Sequence, residues 1–192
     1  MEPAISAKTS ERRRLRAIRR TFHARNPFAE KEIGRLVFQW LQARPDIRVV
    51  GAYCAIHSEP DILDGIGQWM HAAPGRAAGL PVISGGKMSY VKWMPGEEME
   101  PDQFGVPVPC DRIPVSPEVI FAPCVGFASS GLRLGYGGGW YDRFLASADT
   151  RLQTVAVSYA CCLSVGLRQQ DHDILFDWII TEKGCVKASA GG

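Results

Sequence analysis

Apolar residues along this chain alternate between two rhythms, a helical one near 3.6 residues and short continuous runs typical of buried strands. Ile33, Leu36, Val37, Trp40 and Leu41 follow the i, i+3, i+4, i+7, i+8 spacing of a helix with one face on a core, and Asn26-Pro27 ahead of them suits its start. An earlier helix is predicted over about 9–24, with Leu15, Ile18 and Phe22 on one face. Beside that face run Arg12, Arg16, Arg19 and His23, a stripe that fits either a solvated surface or the wall of a cleft. A short helix is expected over 61–72, with Ile62, Ile66, Trp69 and Met70 on one side. Strands are expected at 47–53, 78–83 (broken by Pro81), 88–93, 118–122, 154–159 and 177–181, the last closing the sheet. Such alternation of helix and strand predicts an α/β protein. Residues 94–117, rich in proline and acid, read as a long loop or lid. No internal repeat is present, and 192 residues fit a single domain spanning 1–192.

Composition narrows the function classes. An apolar share of 46% and a charged share of 22% are ordinary for a globular protein. A net charge of +2 excludes a polycation, although Arg12, Arg13, Arg14, Arg16, Arg19, Arg20 and Arg25 crowd the N-terminal helix. Nucleic-acid binding through that helix is therefore the weaker alternative. The six cysteines make no Cys-x-x-Cys pair, which argues against zinc and for reduced thiols in a cytoplasmic protein. Neither a signal peptide nor an apolar stretch of membrane-spanning length is visible, so no membrane partner is expected.

The chemistry concentrates in Gly131–Arg143, where Gly135, Gly137, Gly138 and Gly139 fill four of five consecutive positions. Glycine lets backbone amides turn inward and approach an anion. A helix starting near Trp140 would add its own unpaired N–H groups. Arg133 and Arg143 are candidate flanking cations and Asp142 a candidate metal ligand. No Gly-Lys-Ser/Thr follows, so this is not a Walker A loop, and the Rossmann spacing is absent too. The interleaved Tyr136, Trp140 and Tyr141 set it apart from a plain linker.

The run Arg133-Leu-Gly-Tyr-Gly-Gly-Gly-Trp-Tyr-Asp-Arg143 resembles the signature of the 5-formyltetrahydrofolate cyclo-ligase (methenyltetrahydrofolate synthetase) family. Phe121–Phe127 with Gly131, Ile56-His-Ser-Glu59, Leu80-Pro81, Met88, His172-Asp173 and Ile179–Glu182 extend the likeness over most of the chain. The resemblance implies a three-layer α/β/α fold with a mostly parallel sheet, similar to sugar-phosphate isomerases and CoA transferases. It implies ATP- and Mg²⁺-dependent closure of 5-formyltetrahydrofolate to 5,10-methenyltetrahydrofolate, with release of ADP and phosphate. By matched position, Arg133, Leu134, Gly135, Tyr136, Gly137, Gly138, Gly139, Trp140 and Tyr141 would bind ATP, with Arg12 and Arg16 from the first helix. These two stand where the family carries a lysine and, four residues later, an arginine; Lys8 is an alternative in a shifted alignment. Glu59, with the segment from Tyr136 to Trp140, would bind the folate. Asp142 and Asp173 would hold Mg²⁺. Two departures stand out: Val108 and Ala128 occupy positions where the family usually has a carboxylate. They favour the alternative of a divergent, non-catalytic nucleotide- or folate-binding paralogue.

Overall fold

In chain order the elements are α1 (Glu2–Arg25), α2 (Pro27–Gln42), β1 (Val49–Gly51), α3 (Leu63–His71), β2 (Ala77–Ser84), β3 (Lys87–Trp93), β4 (Met99–Pro101), β5 (Pro107–Pro109), β6 (Val119–Pro123), β7 (Gly126–Phe127), β8 (Arg133–Leu134), α4 (Trp140–Ala146), β9 (Gln153–Val157), β10 (Trp178–Thr181) and β11 (Gly184–Lys187). The computed structural model describes residues 2–189, with side chains from Ala7 onward. Seven strands form one sheet in the order β11-β10-β9-β6-β1-β2-β3. The five inner strands run parallel, and β3 and β11 pair antiparallel at the two edges.

Alternate residues of the central strand β6 face opposite sides, as a pleated strand requires. Val119 and Phe121 join the core beneath α2 and α3, where Ile33, Val37, Trp40, Ile66 and Trp69 are buried. Ile120 and Ala122 join the opposite core, against which Phe144 and Leu145 of α4 pack. The result is a mixed α/β architecture with a mainly parallel sheet flanked by helices. The apolar period predicted for α2 is the one it buries. The glycines where α2 meets α3 have a packing reason. A Cβ on Gly65 would stand 2.3 Å from the Gly34 carbonyl oxygen, so the two backbones touch.

Several expectations are corrected. The first helix begins at Glu2, not near residue 9, and ends at Arg25. Pro81 does not break β2, which runs through it from Ala77 to Ser84. Pairing with β1 ends at Gly79, so the missing N–H of Pro81 falls where β2 has no neighbour on that side. The strand at 177–181 is not the last, because β11 follows as an antiparallel edge. Residues 94–117 are not structureless: β4 and β5 form a hairpin whose Val108 packs on Val82 and Val91.

Candidate active site

Beyond the carboxyl end of β6 the chain makes a tight excursion through β7 and β8, which pair Gly126 with Leu134 and Phe127 with Arg133. A Cβ on Gly126 would lie 2.3 Å from Leu15 Cδ1, so α1 is seated directly on this hairpin. The glycine loop then connects β8 to α4. Gly137 (φ 102°) and Gly139 (φ 62°) take the left-handed backbone that other residues resist. Gly139 caps α4 without a side-chain hydrogen bond, leaving first-turn amides for another acceptor.

The loop lines a cavity of about 170 Å³, together with Lys8, Arg12, Asp142, Gln170, His172 and Asp173. Two of the cations on its wall come from α1. Arg12 donates from Nε to the Gly135 carbonyl at 2.8 Å. Lys8 donates to Asp173 at 2.9 Å and to Gln170 at 2.6 Å. The expected flanking arginines are otherwise engaged. Arg133, with its side chain 5% exposed, pairs with Asp142 at 2.9 Å and lies against the rings of Tyr141 and Phe176. Arg143 stacks on Trp140, 4.5 Å from the ring centroid, outside the cavity lining. Arg16, expected beside Arg12, lies over the Tyr136 ring and lines a neighbouring cleft.

Asp142 and Asp173 face the same cavity. Asp142 also accepts from the Ile174 amide at 3.3 Å, and Asp173 from the Gln170 amide at 2.8 Å. Among the described residues, no group of three or more His, Cys, Asp or Glu side chains gathers to form a closed metal cage. Two carboxylates on a phosphate-sized cavity do fit magnesium, which typically takes one or two protein carboxylates and completes its shell with phosphate and water oxygens.

A second cluster adjoins the first through Tyr136. Its hydroxyl donates to Glu59 Oε1 at 2.7 Å and accepts from Arg19 Nη2. Glu59 is 2% exposed and Arg19 is fully buried. Arg19 also donates to the carbonyls of His57 (3.0 Å) and Cys124 (3.3 Å), so one guanidinium ties α1, the end of β6 and the β1–α3 loop together. That loop is strained. His57 (φ 50°) and Ser58 (φ 63°) both take left-handed backbone without being glycine. Burial pushes the Glu59 carboxyl above the usual carboxylate range, and the Ile56 amide, Tyr136 hydroxyl and Arg19 guanidinium pull it back. The sequence placed Arg19 in the basic stripe, and its one signal was adjacency to the Leu15 face. Nothing singled it out from the neighbouring arginines.

The hairpin in the 94–117 segment leans toward the glycine loop. Asp102 Oδ1 accepts from the Phe104 and Val106 amides, shaping a tip whose exposed Phe104 ring lies 6.3 Å from Trp140. Val108, 1% exposed, points into the small core under that hairpin. Ala128 sits in the turn between β7 and β8, held by backbone bonds to Leu132 and Gly131.

The overall fold is shared with solved structures. One is the Aquifex aeolicus 5,10-methenyltetrahydrofolate synthetase, with a TM-score of 0.76 and 24% identity, covering 96% of this chain and 94% of that one. Another is the Mycoplasma pneumoniae 5,10-methenyltetrahydrofolate synthetase, with a TM-score of 0.71 and 21% identity, covering 91% and 98%. At those identities the likeness establishes the fold. The profile of the 5-formyltetrahydrofolate cyclo-ligase family matches residues 4–182, and the chain belongs to that family of enzymes. Its relatives include the 5-formyltetrahydrofolate cyclo-ligase of Escherichia coli K12, 27% identical over 85% of this chain and 96% of the relative. The enzyme of the same name from Mycolicibacterium smegmatis is 30% identical over 73% and 77%.

Proposed function

We propose that this protein uses ATP to convert 5-formyltetrahydrofolate to 5,10-methenyltetrahydrofolate, releasing ADP and phosphate. The observation that carries this reading is one connected cluster of side chains. The glycine loop, Lys8, Arg12 and two carboxylates form an anion site, and Tyr136 joins it to the buried carboxylate of Glu59. The formyl group on N5 is an amide, so its oxygen is a poor leaving group. Transfer of the γ-phosphoryl group to that oxygen breaks the bond to ADP and makes a phosphate ester of the formyl carbon. N10 then attacks that carbon and loses its proton, and the C–O bond breaks as phosphate departs. Such chemistry depends on positioning and charge neutralisation. The loop amides and the Lys8 and Arg12 cations bind the triphosphate. Glu59 and Tyr136 hold the reacting end of the folate. Asp142 and Asp173 would hold magnesium, which would supply further neutralisation of phosphate charge.

Lys8 and Arg12, four residues apart on one helix face, suit the role of triphosphate cations better than Arg12 with Arg16, because both line the loop cavity. Val108 is buried in a small apolar core with Val82 and Val91. The missing carboxylate at Ala128 favours the non-catalytic alternative. No described helix is long and apolar enough to cross a membrane. The six free cysteines support a reducing, cytoplasmic setting.

Turnover decides between the readings. Purified protein with Mg-ATP and 5-formyltetrahydrofolate should release one ADP for each methenyl product, followed by the product's near-ultraviolet absorbance. Calorimetric binding of both ligands without turnover would identify a non-catalytic relative instead.

A further inference from the structure

Behind α1 stand two cysteines that the proposed reaction does not use. Cys161 and Cys162 share one 3-10 turn, Ala160–Cys162, with their sulfurs 3.9 Å apart. Cys162 is fully buried. Cys161 is partly buried and lines an open cavity of about 510 Å³ beside Ala17, Ile18 and Thr21 of α1, so a small reagent reaches the pair from solvent. The hydrogen bond from Cys161 holds the Cys162 thiol below the usual thiol range, with help from the Ser158 hydroxyl and the Arg19 guanidinium against burial. A thiolate is the nucleophilic form of cysteine, and here a second sulfur lies beside it.

The same turn is what α1 rests on. Ahead of it, the Tyr159 hydroxyl and His23 Nδ1 share a hydrogen bond at 3.0 Å. Behind it, the Ser164 hydroxyl donates at 2.6 Å to Glu11, the residue before Arg12. Between them the Cys162 carbonyl packs on Gly126, where a Cβ would stand 3.2 Å from that oxygen and would also strike Leu15 of α1. Two backbone bonds hold the turn, from the Cys162 amide to the Tyr159 carbonyl (2.9 Å) and from the Leu163 amide to the Ala160 carbonyl (3.1 Å). Successive side chains in such a turn point about 120° apart. Bringing the sulfurs from 3.9 Å to a bond of about 2 Å rotates them toward each other and unwinds the turn.

We propose that Cys161 and Cys162 are a redox site, closed to a disulfide by hydrogen peroxide, and that closure loosens α1 from the fold. The thiolate of the pair attacks one peroxide oxygen, the O–O bond breaks, hydroxide leaves, and a sulfenic acid forms. The second sulfur attacks the first, forms the S–S bond and expels a second hydroxide. The two sulfurs lose one electron each, the peroxide gains both, and the thiol protons leave with the hydroxides as water. Adjacent Cα atoms lie about 3.8 Å apart across a trans peptide, closer than the roughly 4.4 Å that a relaxed disulfide needs. Such a bond is easily reduced again, which suits a transient regulatory disulfide in a reducing compartment. Lys8 and Arg12 reach the loop cavity from α1, so on the triphosphate reading the closed form binds ATP more weakly.

The test treats the Cys110→Ser protein, which lacks the one exposed thiol, with hydrogen peroxide and follows two readouts. By mass spectrometry, the peptide holding residues 161–162 should lose two hydrogens and regain them with dithiothreitol. By hydrogen exchange, the α1 amides of the oxidised protein should open at least about fivefold more often, the low end of coupling between distinct sites. Adding Cys161→Ser should abolish both changes, and Cys161→Ala serves equally if the serine protein folds poorly. Oxidation that stops at a sulfinic acid, or that joins Cys162 to Cys124, would overturn the proposal. So would a disulfide that leaves α1 exchange unmoved. Neither readout needs ATP, so the proposal and the triphosphate reading fail separately. Faster α1 exchange with unchanged ATP affinity supports the redox site and counts against Lys8 and Arg12 as triphosphate cations.

Discussion

Replacing Arg19 with methionine is expected to destabilise the protein by about 3–5 kcal/mol at neutral pH, the range for removing one member of a buried charged pair. The side chain is fully buried, so its loss strands Glu59 beside a tyrosine hydroxyl and leaves the His57 and Cys124 carbonyls without a donor. The pH dependence distinguishes this account from simple loss of packing. Burial holds the Glu59 carboxyl above its ordinary value. The protonated carboxyl is tolerated in the fold, so its contribution is fully present below the unfolded pKa of about 4.3. It is lost as pH rises through the higher folded value. Without Arg19 that folded value rises further. The deficit of the Arg19→Met protein should therefore be greatest near pH 7 and shrink toward pH 4–5. Adding Glu59→Gln should recover more than about 1 kcal/mol at pH 7, as coupled neighbours do, while turnover stays absent. Urea denaturation at both pH values checks this. A deficit that ignores pH and is not relieved by Glu59→Gln would mean that Arg19 and Glu59 are not electrostatically coupled.

The second large effect belongs to Asp142. Asp142→Asn should lower kcat by about 10²–10³-fold, the scale of removing one charge-stabilising group from a transition state. It should cost only about 1 kcal/mol of stability, because the amide oxygen still accepts from Arg133. Alanine at the same position is a poorer test. It would leave the Arg133 guanidinium unpaired at 5% exposure, with a buried Nε that already lacks an acceptor. Loss of fold and loss of catalysis would then be confounded. The measurement is kcat against magnesium concentration for the asparagine variant, alongside its thermal midpoint. Activity within about threefold of wild type would remove Asp142 from the metal role.

Much of the fold was legible because its signals are local. The α2 periodicity specified a helix and its buried face, and the continuous apolar runs marked β6 and β9. What escaped depended on tertiary partners. β11 is short and partly exposed, and becomes a strand only by pairing with β10. β7 and β8, two residues each, exist because the chain must turn beneath Leu15 of α1. Pro81 looked like a break because the sequence does not reveal where the neighbouring strand stops.

The candidate site divides in the same way. The glycine run was visible from composition alone. The structure places Glu59 and Asp173, expected from the resemblance, near it, Glu59 through Tyr136 and Asp173 beside Lys8. The choice among the arginines was not visible, since seven of them on one helix offer several registers. Only packing decides that Arg19 is buried, that Arg12 meets the loop, and that Arg16 faces the next cleft. Sequence did not show that Val108, where the resemblance expects an acid, fills a small core with Val82 and Val91.

The account turns on the glycine loop holding the triphosphate of ATP. Backbone amide resonances recorded during a titration with Mg-ATP test that directly. Those of Gly135, Gly137, Gly138 and Gly139 should shift together and saturably, while the amides of β11 stay in place. Saturable binding that leaves those four resonances unmoved, with the shifts gathered elsewhere, would contradict it.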